Sequence, residues 1–114
     1  DRPVSTETTE RIRLRLGGCL FATGQYADAA KQFDSVAGNE RSAVRAQALY
    51  RSGESHAAAG QHAKAVEKLL PFRDKQEYQQ IGGVSDRAVL RLGFAQIGAK
   101  KADDAKGTFE VVLT

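Results

Sequence analysis

Three stretches of this 114-residue chain can be laid on one another: IRLRLGGCLFATGQYADAAKQF, QALYRSGESHAAAGQHAKAVEKL and RAVLRLGFAQIGAKKADDAKGTF. Each carries Arg-x-Gly, at Arg15-Leu16-Gly17, Arg51-Ser52-Gly53 and Arg91-Leu92-Gly93. Twelve residues after each glycine stands an alanine (Ala29, Ala65, Ala105), and sixteen after it a large apolar residue (Phe33, Leu69, Phe109). The glycines recur at intervals of 36 and 40 residues. Self-similarity at such a period is the mark of a stacked repeat architecture, in which each unit buries its face against the next.

Helix punctuation divides the chain into six helices. Ser5 or Thr6 caps the first, with Glu7 and Glu10 near its positive end, and Gly24 stops it. A second helix runs from Tyr26 to Ala37 and ends at Gly38-Asn39. Asn39 is then placed to cap a third, which runs to Gly60. The fourth starts near His62, the fifth is capped by Ser85 and reaches Ala99, and the sixth occupies Ala102 to Leu113. Apolar residues recur at three- and four-residue spacing inside these segments, as in Leu16, Leu20 and Phe21 or Val89, Leu92 and Ile97. Residues 70–84 interrupt the pattern and lengthen the second period. Pro71 either kinks the fourth helix or opens a short new turn, and Gly82-Gly83 breaks the chain before the third unit.

The repeats resemble the tetratricopeptide repeat over nearly the whole chain. That family places leucine and glycine seventh and eighth in its unit, a small residue tenth, alanine twentieth and an aromatic at position 24. The corresponding residues are Leu16, Gly17, Cys19, Ala29 and Phe33, then Ser52, Gly53, Ser55, Ala65 and Leu69, then Leu92, Gly93, Ala95, Ala105 and Phe109. The resemblance implies an all-α, right-handed solenoid of three helix-turn-helix repeats, at about 10–38, 46–80 and 86–114, in a single domain. Physical reasoning agrees, since a glycine inside a helix costs roughly 1 kcal/mol against alanine. Three at one register point to close helix crossings, with each glycine packed near the alanine of its own repeat. Departures are also visible: position four carries Arg13, Leu49 and Val89, and the closing proline is absent. The long spacing and the LRLG-type start look like the bacterial cell-envelope subgroup, which includes the Tol–Pal coordinator and outer-membrane assembly lipoproteins. Localisation is not readable from the residues themselves; the subgroup resemblance implies the bacterial periplasm or envelope in preference to the cytoplasm.

No chemistry of an enzyme is legible. The chain has no Gly-rich phosphate loop, no His-Glu-x-x-His and no nucleophile elbow, so neither catalytic residues nor a cofactor or metal is expected. His56 and His62 fall where the family often has tyrosine and read as packing residues. Cys19, at the small-residue register, reads as a buried small hydrophobe. A net charge of +3 with no basic tail gives no reason to expect nucleic acid, and no apolar run is long enough to cross a membrane.

The arginines are distributed more tellingly. Eight of ten lie in or lead into the first helix of a repeat, whereas the lysines populate second helices and loops. The family resemblance implies that first helices line a concave groove. The groove residues are then Arg11, Leu14, Arg15 and Phe21; Gln47, Tyr50, Arg51 and Glu54; and Arg87, Leu90, Arg91, Phe94 and Ile97. Arg15, Arg51 and Arg91 would form a ladder suited to an extended peptide with acidic residues between apolar anchors. The asparagines of the carboxylate clamp in chaperone-binding members are missing, so recognition of a free C-terminus by that route is not implied. The expected role is a non-catalytic protein-interaction module. The alternatives are a self-assembling structural scaffold, or a docking domain for an enzyme fused elsewhere. Without methionine and opening Asp1-Arg2-Pro3, the sequence reads as a segment of something longer. The apolar Val111, Val112 and Leu113 in the last helix point to a following repeat or to self-association there.

Overall fold

The computed structural model describes residues 5–113. It contains six α-helices in chain order: α1 Thr6–Ala22, α2 Tyr26–Ala37, α3 Arg45–Ala58, α4 His62–Asp74, α5 Ser85–Gly98 and α6 Ala102–Leu113. A short 3-10 turn, Gln76–Tyr78, separates α4 from α5. Each helix packs chiefly on the one before and the one after it, giving an elongated body of 53 × 29 × 19 Å. Extra contacts between α3 and α5 bring first helices of successive pairs together. The architecture is a helical repeat solenoid.

The turn inside each pair is the same structure three times over. Thr23, Ala59 and Ala99 close the first helices, and the next residues, Gly24, Gly60 and Lys100, have φ of 80°, 79° and 62°. Gln25, Gln61 and Lys101 then donate backbone N–H groups to the carbonyls of Leu20, His56 and Gln96, each at 2.8 Å. This satisfies carbonyls that a helix end leaves without partners. Lys100 does in the third turn what glycine does in the first two, at a conformation costing an L-residue roughly 1–2 kcal/mol. Lys100→Gly is therefore expected to raise Tm by a few degrees, the relief exceeding glycine's added unfolded-state entropy. A thermal melt that falls instead would show that the lysine side chain makes good its own strain.

The repeated glycines lie at close crossings, but their nearest neighbours are the large residues sixteen positions on rather than the alanines. A Cβ at Gly17 would lie 2.6 Å from the Phe33 ring, and one at Gly53 would lie 2.5 Å from Leu69 Cγ. Gly93 meets Phe109 in the same way. Ala29, Ala65 and Ala105 are buried one helical turn away.

Two caps differ from the sequence reading. Helix α3 begins at Arg45 with Val44 as its N-cap, because Asn39 is engaged elsewhere. Asn39 Oδ1 accepts the Arg41 N–H at 3.1 Å, its Nδ2 donates to Glu10 at 2.9 Å, and Ser42 Oγ donates to Glu10 at 2.9 Å. Val84, the counterpart of Val44 in the third repeat, is likewise the N-cap of α5, and Ser85 opens its first turn.

 Ser85 does not cap α5 because its hydroxyl closes the preceding loop, donating to the Tyr78 carbonyl at 2.5 Å and accepting the Ile81 N–H at 2.8 Å.

Pro71 lies inside α4, which continues to Asp74, so no new turn opens there. The insertion is not a detached loop. Tyr78 is buried with its ring 5.5 Å from Phe72, and its hydroxyl accepts from Arg45 Nη1 at 2.7 Å. Cys19 is exposed, contrary to the sequence expectation. Its counterparts Ser55 and Ala95 are buried because α2 and α4 cover them, whereas α1 has no helix on its outer side among the described residues.

Candidate functional site

Side-chain contacts tie the three first helices into one wall. The Arg51 guanidinium of α3 stacks over Phe21 of α1 at 5.0 Å and over Phe33 of α2 at 5.2 Å. Such a cation held on ring faces gains on the order of 1 kcal/mol and loses its freedom to swing. Arg51 Nη1 also donates to Glu54 at 2.5 Å, and Arg91 of α5 lies 3.3 Å from the other Glu54 oxygen. Glu54, nearly buried, thus joins α3 to α5, with the Tyr50 hydroxyl 3.5 Å away.

The three arginines of the sequence ladder therefore differ. Arg51 and Arg91 share one carboxylate, whereas Arg15 is exposed with no ion pair among the described residues. Arg11 is exposed and pairs with Glu7 one turn earlier at 3.0 Å, a contact that solvent weakens. Arg87 and Gln47 are exposed, while Leu14 and Phe21 are half-buried and Tyr50 is buried. Leu90, Phe94 and Ile97 are 44%, 56% and 52% exposed, and Phe94 meets Phe109 edge-on at 5.7 Å.

Two open cavities lie along this wall. One of about 420 Å³ is lined by Arg11, Leu14, Arg15, Val44 and Gln47. The other, about 540 Å³, includes Gln47, Tyr50 and Arg51 together with Ile81, Gly83 and Val84. The insertion before α5 thus borders the wall, which the repeat pattern gave no means of foreseeing.

A second polar cluster lies between α2, α3 and α4. Asp34 accepts from Ser52 Oγ on one oxygen and lies 3.0 Å from His56 Nε2 on the other, with Lys68 Nζ 3.7 Å away. His56 Nδ1 is 2.7 Å from Gln61 Oε1. Serine, histidine and aspartate also make up hydrolytic triads, but there the base must bond the nucleophile. Here Ser52 bonds the carboxylate and is fully buried, so the cluster fastens one repeat to the next. His62 packs on Gly98, and its Nδ1 has no hydrogen-bond partner among the described residues. Elsewhere, the Asp74 hydrogen bond raises the Arg73 pKa above its ordinary value against the opposing effect of burial. Arg73 bonds Thr108 at 3.0 Å, tying α4 to α6. No group of three or more metal-ligating side chains forms among the described residues, and none of their helices is long and apolar enough to cross a membrane.

The tetratricopeptide repeat family matches residues 47–70 and 87–114. Repeats of this family generally mediate protein–protein contacts and are typically non-catalytic. No curated protein and no solved structure matches the chain.

Proposed function

We propose that the three helix pairs, at about 10–38, 46–80 and 86–114, act as one domain that binds an extended, acidic and partly apolar peptide segment across its first-helix wall. The observation that carries this reading is that unneutralised Arg15 lines one of two open cavities on a set of first helices that also exposes Leu90, Phe94 and Ile97. Arginine matches a carboxylate with a planar fork, and exposed apolar side chains gain by being covered. Replacing Arg11 and Arg15 with alanine should weaken binding of such a peptide about tenfold at 0.1 M salt, since each exposed pair is worth up to ~1 kcal/mol. The difference should shrink at higher salt. Unchanged affinity in a folded variant would make the wall a solvated face. The repeat intervals of 36 and 40 residues favour the bacterial cell-envelope setting within this proposal.

A self-assembling scaffold is the second reading, favoured by the outer faces of the terminal helices. Ile12 and Leu16 of α1 are exposed at registers where Ala48, Ser52, Ala88 and Leu92 are fully buried. Val112 and Leu113 of α6 are exposed as well, although Lys106 and Glu110 make the rest of that face polar. Sedimentation should show association that Val112→Glu with Leu113→Lys abolishes. A monomer at all concentrations would remove this reading.

A further inference from the structure

The insertion after α4 seats Tyr78 among three helix ends. Its ring meets Phe72 near the end of α4, and its hydroxyl accepts from Arg45 at the start of α3. Arg45 Nε in turn donates to the Ala37 carbonyl at the end of α2, at 2.9 Å. The repeat offset is 36 residues from α2 to α4, and 40 from α3 to α5 and from α4 to α6. It carries Ala37, Arg45 and Phe72 onto Arg73, Ser85 and Val112. Those three counterparts line an open cavity of about 450 Å³, together with Phe72, Asp86 and Val89. The cavity shares no lining residue with the two on the first-helix wall. Phe72 is 1% exposed beside Tyr78, whereas Val112 at the same register is 49% exposed.

We propose that this cavity is a seat for a tyrosine side chain presented by a partner protein, separate from the first-helix wall. Its occupant is the counterpart, in trans, of what Tyr78 is one repeat earlier. The volume falls within the range of roughly 300–1,000 Å³ found for small-ligand sites. Phe72, Val89 and Val112 give it apolar walls, and a ring gains by being covered there. The remaining lining suits a hydroxyl. Arg73 uses three of the five N–H groups of its guanidinium, two on Asp74 and one on Thr108. It takes over from Arg45 as the donor to the phenol oxygen, acting from the neighbouring second helix. Asp86, exposed on the same lining, accepts the phenol O–H. A second copy of this chain does not supply the ring. Tyr50 and Tyr78 are buried, and Tyr26 is half-buried against Phe21. The tyrosine therefore belongs to a different protein.

The probe is a synthetic peptide copying residues 75–80, Lys-Gln-Glu-Tyr-Gln-Gln, used beside its Tyr78→Ser and Tyr78→Phe versions and free p-cresol. Methyl NMR of the labelled 114-residue chain reads binding at Val89, Val111 and Val112. The tyrosine peptide is expected to shift these methyls and to bind about tenfold tighter than the serine version. It should bind about threefold tighter than the phenylalanine version, through the hydroxyl. Asp86→Ala should erase that second preference. Val112→Trp, which fills the cavity from an exposed position, should abolish binding while Tm stays near wild type. Equal binding by the serine version, or shifts centred away from the three valines, would overturn the seat. Unchanged binding by a folded Val112→Trp variant would overturn its placement. Binding of p-cresol without binding of the peptide would make the cavity a small-molecule site and overturn the protein partner.

Discussion

Gly53→Leu is expected to lower Tm by roughly 5–15 °C, the largest effect of any single substitution considered. Even the first added carbon would lie 2.5 Å from Leu69 Cγ, the branch point of a fully buried side chain. Leu69 cannot swing aside, because its surroundings are packed at the density of a solid. Overpacking of this kind costs about 1–3 kcal/mol, and each 1 kcal/mol moves Tm by about 4–8 °C in a domain near this size. Gly107 is the internal control. It also lies within a helix, but a Cβ there would meet nothing within 4 Å, so Gly107→Ala should stabilise by up to about 1 kcal/mol. A Gly53→Leu variant that melts like wild type would mean that α3 and α4 do not cross at this residue.

Glu54→Gln is expected to act on stability and on binding in opposite directions. The carboxylate receives Arg51 at 2.5 Å and approaches Arg91 at 3.3 Å, and its side chain is only 10% exposed. The amide keeps the shape but removes the charge, at a cost on the order of 1–2 kcal/mol for lost charged hydrogen bonds. Arg91, half-exposed, contributes less of this than Arg51. The same change leaves two cations at the centre of the wall without their counterion. Affinity for an acidic peptide should then rise several-fold at 0.1 M salt and return toward wild type as salt screens the gain. Affinity that stays constant while stability falls would place the ligand elsewhere.

Repeat arithmetic made much of the fold legible because its signals are local. Gly24 and Gly60 mark helix ends by a conformation that glycine adopts at little cost, and both ends lie where those residues stand. The third turn keeps that geometry with Lys100, so the period rather than the residue type located it. Asn39 and Ser85 misled for a shared reason. Each side chain suits a cap, yet a loop to α1 or to Tyr78 engaged it first, and such competition depends on tertiary contacts. Cys19 was misplaced because its register is buried only where a preceding helix covers it.

The wall was legible as a set of positions and illegible as a charge pattern. Arg15, Arg51 and Arg91 are equivalent in sequence, but Glu54 approaches two of them and none of it reaches the first. Phe21 and Phe33, expected only as groove lining and core, also hold Arg51 in place. The insertion bearing Ile81 and Val84 reaches the wall through a fold-back that Tyr78 anchors. No repeat register encodes that contact.

The most direct measurement is an NMR titration of the isotopically labelled chain with an acidic, partly apolar synthetic peptide built from glutamate, leucine and serine. Amide shifts should move first in α1, α3 and α5, centred on Arg15, Gln47 and Phe94, and the second helices should stay still. Shifts centred instead on α2, α4 and α6, or confined to the exposed outer faces of α1 and α6, would contradict the account.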